Sequence, residues 1–219
     1  MRHLLQPQVL RTAGLAAAGT ALACYPRLSL WQSSRWPVWY MEATIFVCGI
    51  LLWGFVFAWH EPYTRRGVLV FKLDVAPLMA ATLAGLGAAA AFHLWLDPPL
   101  RAKFPQEYPP DLRHWLADVP FSFGLSQLFL VFAPCDWLMR LGKNRWLAMS
   151  LTALFAAGVQ AMKIHSLPAP MPPLLAAVLL TIRFAGGFLA VWLYLRGGVF
   201  LVWWWAWLLE CRHLPQLLQ

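Results

Sequence analysis

Residues 38–59, VWYMEATIFVCGILLWGFVFAW, decide the fold class of this chain. This stretch contains a single charged residue, Glu42, near its beginning. A helix that crosses the hydrocarbon core of a bilayer needs about 20 largely apolar residues, and this stretch has them. Further apolar stretches follow, and a weaker one precedes it. We therefore predict an all-α fold, a polytopic transmembrane helical bundle of six to eight helices, over residues 9–24, 38–59, 75–95, 115–141, 146–164, 174–196 and 198–211.

The overall composition supports a membrane protein. The chain of 219 residues is 61% hydrophobic and 12% charged, with a mean hydropathy of +0.60, whereas soluble domains carry roughly twice that charged fraction. The net charge of +8 is spread over the connections, and no basic stripe with interleaved aromatic residues points to nucleic acid. Tryptophans near the ends of the stretches are typical of residues at the lipid–water interface. We expect contact with membrane lipid and no nucleic-acid partner.

We expect one integral membrane domain over residues 1–219, with N-terminal helices and a proline-rich loop at 38–112 and a helical core at 115–213. The small residues of 9–24 fit either a packed helix or a signal sequence. Five prolines predict that 97–112 is a surface loop or an interfacial segment that does not continue the helix before it, and His60-Glu61 are expected to begin a solvated loop. The four cysteines lie far apart, without metal-binding spacing, so no metal or cofactor is expected.

Charged residues at membrane depth suggest function, and they occur in Ala133–Arg140, which reads APCDWLMR. Asp136 and Arg140 are four residues apart and share a helix face. Two further features follow in order. One is LTALFAAGVQ at 151–160, and the other is Gly187 followed by LYLRGG at 193–198 and a tryptophan-rich last helix.

Together these features resemble the C-terminal half of the CAAX prenyl protease and bacteriocin-processing family, also called the Abi family, over residues 120–213. The family consists of multi-helix intramembrane glutamic endopeptidases. The resemblance places its Glu-Glu-x-x-x-Arg motif on Cys135, Asp136 and Arg140. Its Phe-x-x-x-His motif falls on Phe155 and Val159, and its last polar pair falls on Ala206 and Glu210.

The resemblance implies a weakened catalytic site. A family glutamate takes a proton from water, and histidine and amide groups stabilise the oxyanion. Val159 and Ala206 cannot donate hydrogen bonds, and losing even one oxyanion donor costs about 10²–10³ in rate. We therefore expect a divergent member that is catalytically impaired and binds a membrane protein or transmembrane segment, in the cytoplasmic (inner) membrane of a bacterium.

Two alternatives stay open. The first is an active intramembrane endopeptidase with a rearranged site. In that site Asp136 or Glu210 is the base, Gln160 donates to the oxyanion and Arg140 orients the carboxylate. The second is a structural subunit of a larger membrane complex.

Other roles for these side chains are also possible. Cys135 could be a nucleophile with His165 or His213 as its partner. Alternatively, Asp136–Arg140 and Arg183–Glu210 are ion pairs that lock the bundle, since buried charges need partners.

Overall fold

Six helices form the computed structural model, which describes residues 4–30, 36–70, 74–167 and 169–218. Five of them, α2 to α6, are long and apolar enough to cross a membrane. No strand occurs in the described part of the chain. The predicted all-α, multi-pass membrane bundle is therefore confirmed. The helices are α1 (Pro7–Leu30), α2 (Val38–Thr64), α3 (Val75–Lys103), α4 (Leu112–Gly142), α5 (Arg145–His165) and α6 (Pro173–Leu217).

Small residues set the packing of the helices. In α1, Ala13 and Ala17 are fully buried, and a methyl group on Gly49 of α2 would lie 3.2 Å from the Ala17 Cβ. Gly187 of α6 is equally close to the Ala153 backbone of α5. Because side chains are nearly absent at these points, the helix axes approach closely. The segment 9–24 is thus part of a packed helix, and its removal as a signal sequence stays a prediction.

The proline-rich stretch 97–112 is helical in its first part, so the prediction that it does not continue the helix before it is wrong for residues 97–103. A wide π turn at Phe92–Leu96 joins two α-helical parts of α3. Its last bond runs from the Asp97 N–H to the Phe92 carbonyl. Pro98 and Pro99 then stand in the first turn of the next part, where a missing N–H is tolerated.

Two further π turns lie in α4, at Ser122–Ser126 and Leu128–Phe132. They fall between Pro120 and Pro134 of the same helix. A proline removes one backbone hydrogen bond and crowds the preceding turn, and a wider turn leaves more room for the ring. The altered turns change which residues of α4 face the neighbouring helices.

The last helix is broken at Gly198, as the separate stretches 174–196 and 198–211 predict. Gly198 has φ +68° and ψ −161°, a conformation that favours glycine. The Val199 N–H donates to the Val68 carbonyl at 3.1 Å, and the Arg66 guanidinium donates to the Arg196 carbonyl. A Cβ on Gly198 would lie 2.4 Å from the Val68 oxygen. The segment after α2 is therefore built into the break in α6.

Candidate intramembrane ligand site

Asp136 belongs to a buried polar cluster between α2, α4 and α6. One carboxylate oxygen lies 3.1 Å from Nδ1 of His60, and the other accepts from the Tyr194 hydroxyl at 2.6 Å. All three residues are 0% exposed. Burying a carboxylate is costly without such partners, so these contacts hold three helices together. His60 is therefore a core residue, and its predicted place in a solvated loop is wrong.

The predicted ion pairs are not formed. The Arg140 guanidinium lies 4.3 Å from the centre of the Trp59 ring, whereas Asp136 is bonded to the two partners above. Sequence spacing shows that Asp136 and Arg140 share a helix face. It does not show that side chains on other helices lie closer to the Asp136 carboxylate. Glu210 lies 3.9 Å from Nε2 of His213, not against Arg183.

Cys135 is also fully enclosed, with 0% of its surface exposed. A nucleophilic thiol needs an ionised sulfur within reach of the substrate and of a base. His213 lines the cavity described next, and Cys135 does not. The arrangement therefore offers no support for a Cys–His pair.

A cavity of about 540 Å³ lies between α3, α4, α5 and α6. Most of its wall is apolar, with contributions from Leu179, Ile182 and Leu189 of α6. Charged residues of both signs also face it. Three are acidic and three are basic: Asp97, Glu107, Glu210, Lys163, Arg183 and Arg212.

Most of these charges are paired at the end of the cavity near residues 97–108. Asp97 accepts from the Tyr108 hydroxyl at 3.1 Å and lies 3.4 Å from Nε of Arg212. Glu107 forms a salt bridge with Lys163 at the end of α5. Burial and the Asp97 charge raise the pKa of Tyr108, so its hydroxyl remains a donor at neutral pH. These contacts fasten the segment after α3 over the cavity.

The cavity brings together only some of the residues that the sequence suggested. Gln160 and Glu210 line it, as does Ala206 at a family motif position. Cys135, Asp136 and Arg140 do not. A base at Asp136 therefore does not share this space with a donor at Gln160.

Sequence reasoning missed Gln127, Ser122 and Trp205 as lining residues. Gln127 and Ser122 could have been found as uncharged polar residues on an otherwise apolar helix. Trp205 gives no such signal, because tryptophan is common throughout this chain. No group of three or more His, Cys, Asp or Glu side chains suited to a metal ion occurs within the described ranges.

Comparison with protein-family models, curated proteins and solved structures gave no match to this chain.

Proposed function

We propose that this protein is a non-proteolytic binding protein of the bacterial inner membrane, divergent from the CAAX-protease type. It holds a membrane-embedded ligand in the cavity between α3, α4, α5 and α6. The observation that carries the proposal is the separation of two features. The cavity contains Gln160 and Glu210, while Asp136 is sealed among His60 and Tyr194.

The hydrogen bonds of Asp136 argue against a catalytic role. A general base must reach the proton that it removes, either directly or through one water. Both oxygens of this carboxylate already have protein partners, and the side chain is 0% exposed. At the cavity, Ala206 offers no hydrogen bond where the family has a polar residue. The remaining polar groups favour binding over hydrolysis.

The size and lining of the cavity fit a ligand better than a whole transmembrane helix. Small-molecule sites usually occupy about 300–1,000 Å³ and are mostly apolar with a few polar groups. One turn of a helix, at a diameter of 10–12 Å and a pitch of 5.4 Å, occupies roughly 400–600 Å³. A volume of about 540 Å³ therefore suits a lipid or the end of a membrane-embedded chain.

The proposal is tested by closing the mouth of the cavity. Ala185 is exposed on α6 and lines the cavity, so Ala185→Trp fills the entrance without disturbing the packed core. Ala177 is exposed on the same helix but does not line the cavity, so Ala177→Trp is the matched control.

Full-length protein is purified in mild detergent, and molecules that remain bound are measured by native mass spectrometry. We expect a bound ligand with the wild-type protein and with Ala177→Trp, and its loss with Ala185→Trp. Equal retention by both variants, or cleavage of a membrane peptide by the wild-type protein, would contradict the proposal.

A further inference from the structure

Two hydrogen-bond donors in the cavity have no partner. Nε of Arg183 and Nε1 of Trp205 are buried atoms without a hydrogen bond, and both residues line the cavity. Trp205 is only 7% exposed. Neither nitrogen can accept a hydrogen bond, and buried donors are nearly always paired in native proteins. The two groups therefore require an acceptor that is not part of the described chain.

Arg183 and Trp205 line neighbouring parts of the cavity wall. Gly186 follows Arg183 by three residues and lies on the same face of α6. A methyl group on Gly186 would lie 3.6 Å from Cη2 of Trp205, so the indole ring packs on the helix one turn from Arg183. The break at Gly198 turns the chain so that Trp205 can face the first half of the same helix.

The charge of Arg183 points to an anion. Lys163 and Arg212 have acidic partners in the cavity, but Arg183 forms no salt bridge with any residue of the described ranges. A cation at membrane depth is tolerated when it faces a cavity and finds a partner. Arginine and an indole N–H together match the oxygens of a carboxylate or phosphate.

We infer that Arg183 and Trp205 form the headgroup site for an anionic lipid whose carboxylate or phosphate accepts both N–H groups. Its hydrocarbon chain then lies along the apolar wall that includes Leu179 and Ile182. The inference rests on the proposed function, since it names the ligand class of the same cavity. It adds a requirement for negative charge, which cavity binding alone does not demand.

The test is equilibrium binding of radiolabelled oleate to the full-length protein in a neutral detergent. Charge-assisted hydrogen bonds are about twice as strong as neutral ones, so we expect Arg183→Gln to weaken binding by about tenfold or more. Trp205→Phe keeps an aromatic ring, smaller than the indole, and removes the donor, and we expect a loss of several-fold. Arg113 is exposed at the start of α4, so Arg113→Gln is the charge-matched control and should bind like the wild-type protein.

Competitors separate the sources of the anion. Methyl oleate has the chain without the charge, and inorganic phosphate has the charge without the chain. Unlabelled oleate or phosphatidic acid should displace the label at least tenfold better than either. Equal displacement by methyl oleate would overturn the anionic headgroup while leaving cavity binding intact. The lipid assignment would be overturned if inorganic phosphate alone displaced the label. It would also be overturned if an apolar peptide with a free C-terminus displaced the label better than oleate or phosphatidic acid does.

Failure of the proposed function gives a different result from failure of the headgroup assignment. If the ligand does not bind in the cavity, Ala185→Trp binds oleate as well as Ala177→Trp does, whatever the effect of Arg183→Gln. If Arg183→Gln does not fold, the conservative Trp205→Phe variant carries the test, and wild-type affinity in that folded variant contradicts the inference.

Discussion

Removing one hydroxyl from the buried cluster measures what Asp136 does. In Tyr194→Phe, the ring remains and keeps its contacts with His60 and Phe132, whose ring centres lie 4.4 Å and 4.8 Å away. The change therefore deletes one donor and little else. That donor lies 2.6 Å from a carboxylate that is 0% exposed. A hydrogen bond to a charged group contributes about 1.5–3 kcal/mol, although polar contacts between membrane helices average about 0.6 kcal/mol.

We expect Tyr194→Phe to lower the free energy of unfolding by about 1–3 kcal/mol. Unfolding is followed by circular dichroism as sodium dodecyl sulfate replaces a mild detergent. Tyr25 is 50% exposed, and Tyr25→Phe should stay within about 0.5 kcal/mol of the wild-type protein. A double-mutant cycle with Asp136→Asn should show coupling between the two sites. A Tyr194→Phe protein as stable as the Tyr25→Phe control would refute the structural role assigned to the cluster.

Three further changes have defined outcomes. Gly198→Ala should destabilise the protein by more than the roughly 1–2 kcal/mol cost of a left-handed residue, because its Cβ would also meet the Val68 oxygen at 2.4 Å. The same unfolding assay checks this, and a neutral effect would contradict the described break. Glu210→Gln should tighten oleate binding, because it removes from the cavity wall a carboxylate that would repel an anion, and weaker oleate binding would contradict this repulsion. Hydrogen bonds from His114, chiefly its backbone N–H, lower the pKa of Asp111. The stabilisation that these hydrogen bonds give to the start of α4 is therefore present at neutral pH. It is lost as the pH falls below the ordinary aspartate pKa of about 4. The protection of the His114 amide, measured as its hydrogen exchange rate relative to the intrinsic rate at the same pH, should decrease under acid conditions, and unchanged protection would argue against the cap.

The sequence predicted the helices well because membrane spans depend on hydropathy, which is a local property. The break in α6 was also predictable, since Gly197 and Gly198 follow an apolar stretch. The stretch 97–103 was mispredicted because prolines that usually end a helix can also begin one, and the π turn before them leaves no sequence signature.

The site was less predictable because its contacts join distant parts of the chain. Asp136 and Arg140 are well spaced for pairing, but His60 and Tyr194 compete for the carboxylate from other helices. The cavity depends likewise on how α3, α4, α5 and α6 pack. Gln160 and Glu210 were singled out from the sequence as inward-facing polar residues, and they do line the cavity. Their separation from Asp136 could not be read from spacing.

The most direct test of the central claim is oleate binding by the Asp136→Asn protein, measured on the monodisperse folded fraction beside Ala185→Trp. The claim is that binding takes place in the cavity and that Asp136 supports only the fold. Asp136→Asn should therefore bind within about twofold of the wild-type protein, since it does not line the cavity, while Ala185→Trp should not bind. Folded Asp136→Asn protein that has lost binding as completely as Ala185→Trp would contradict the account.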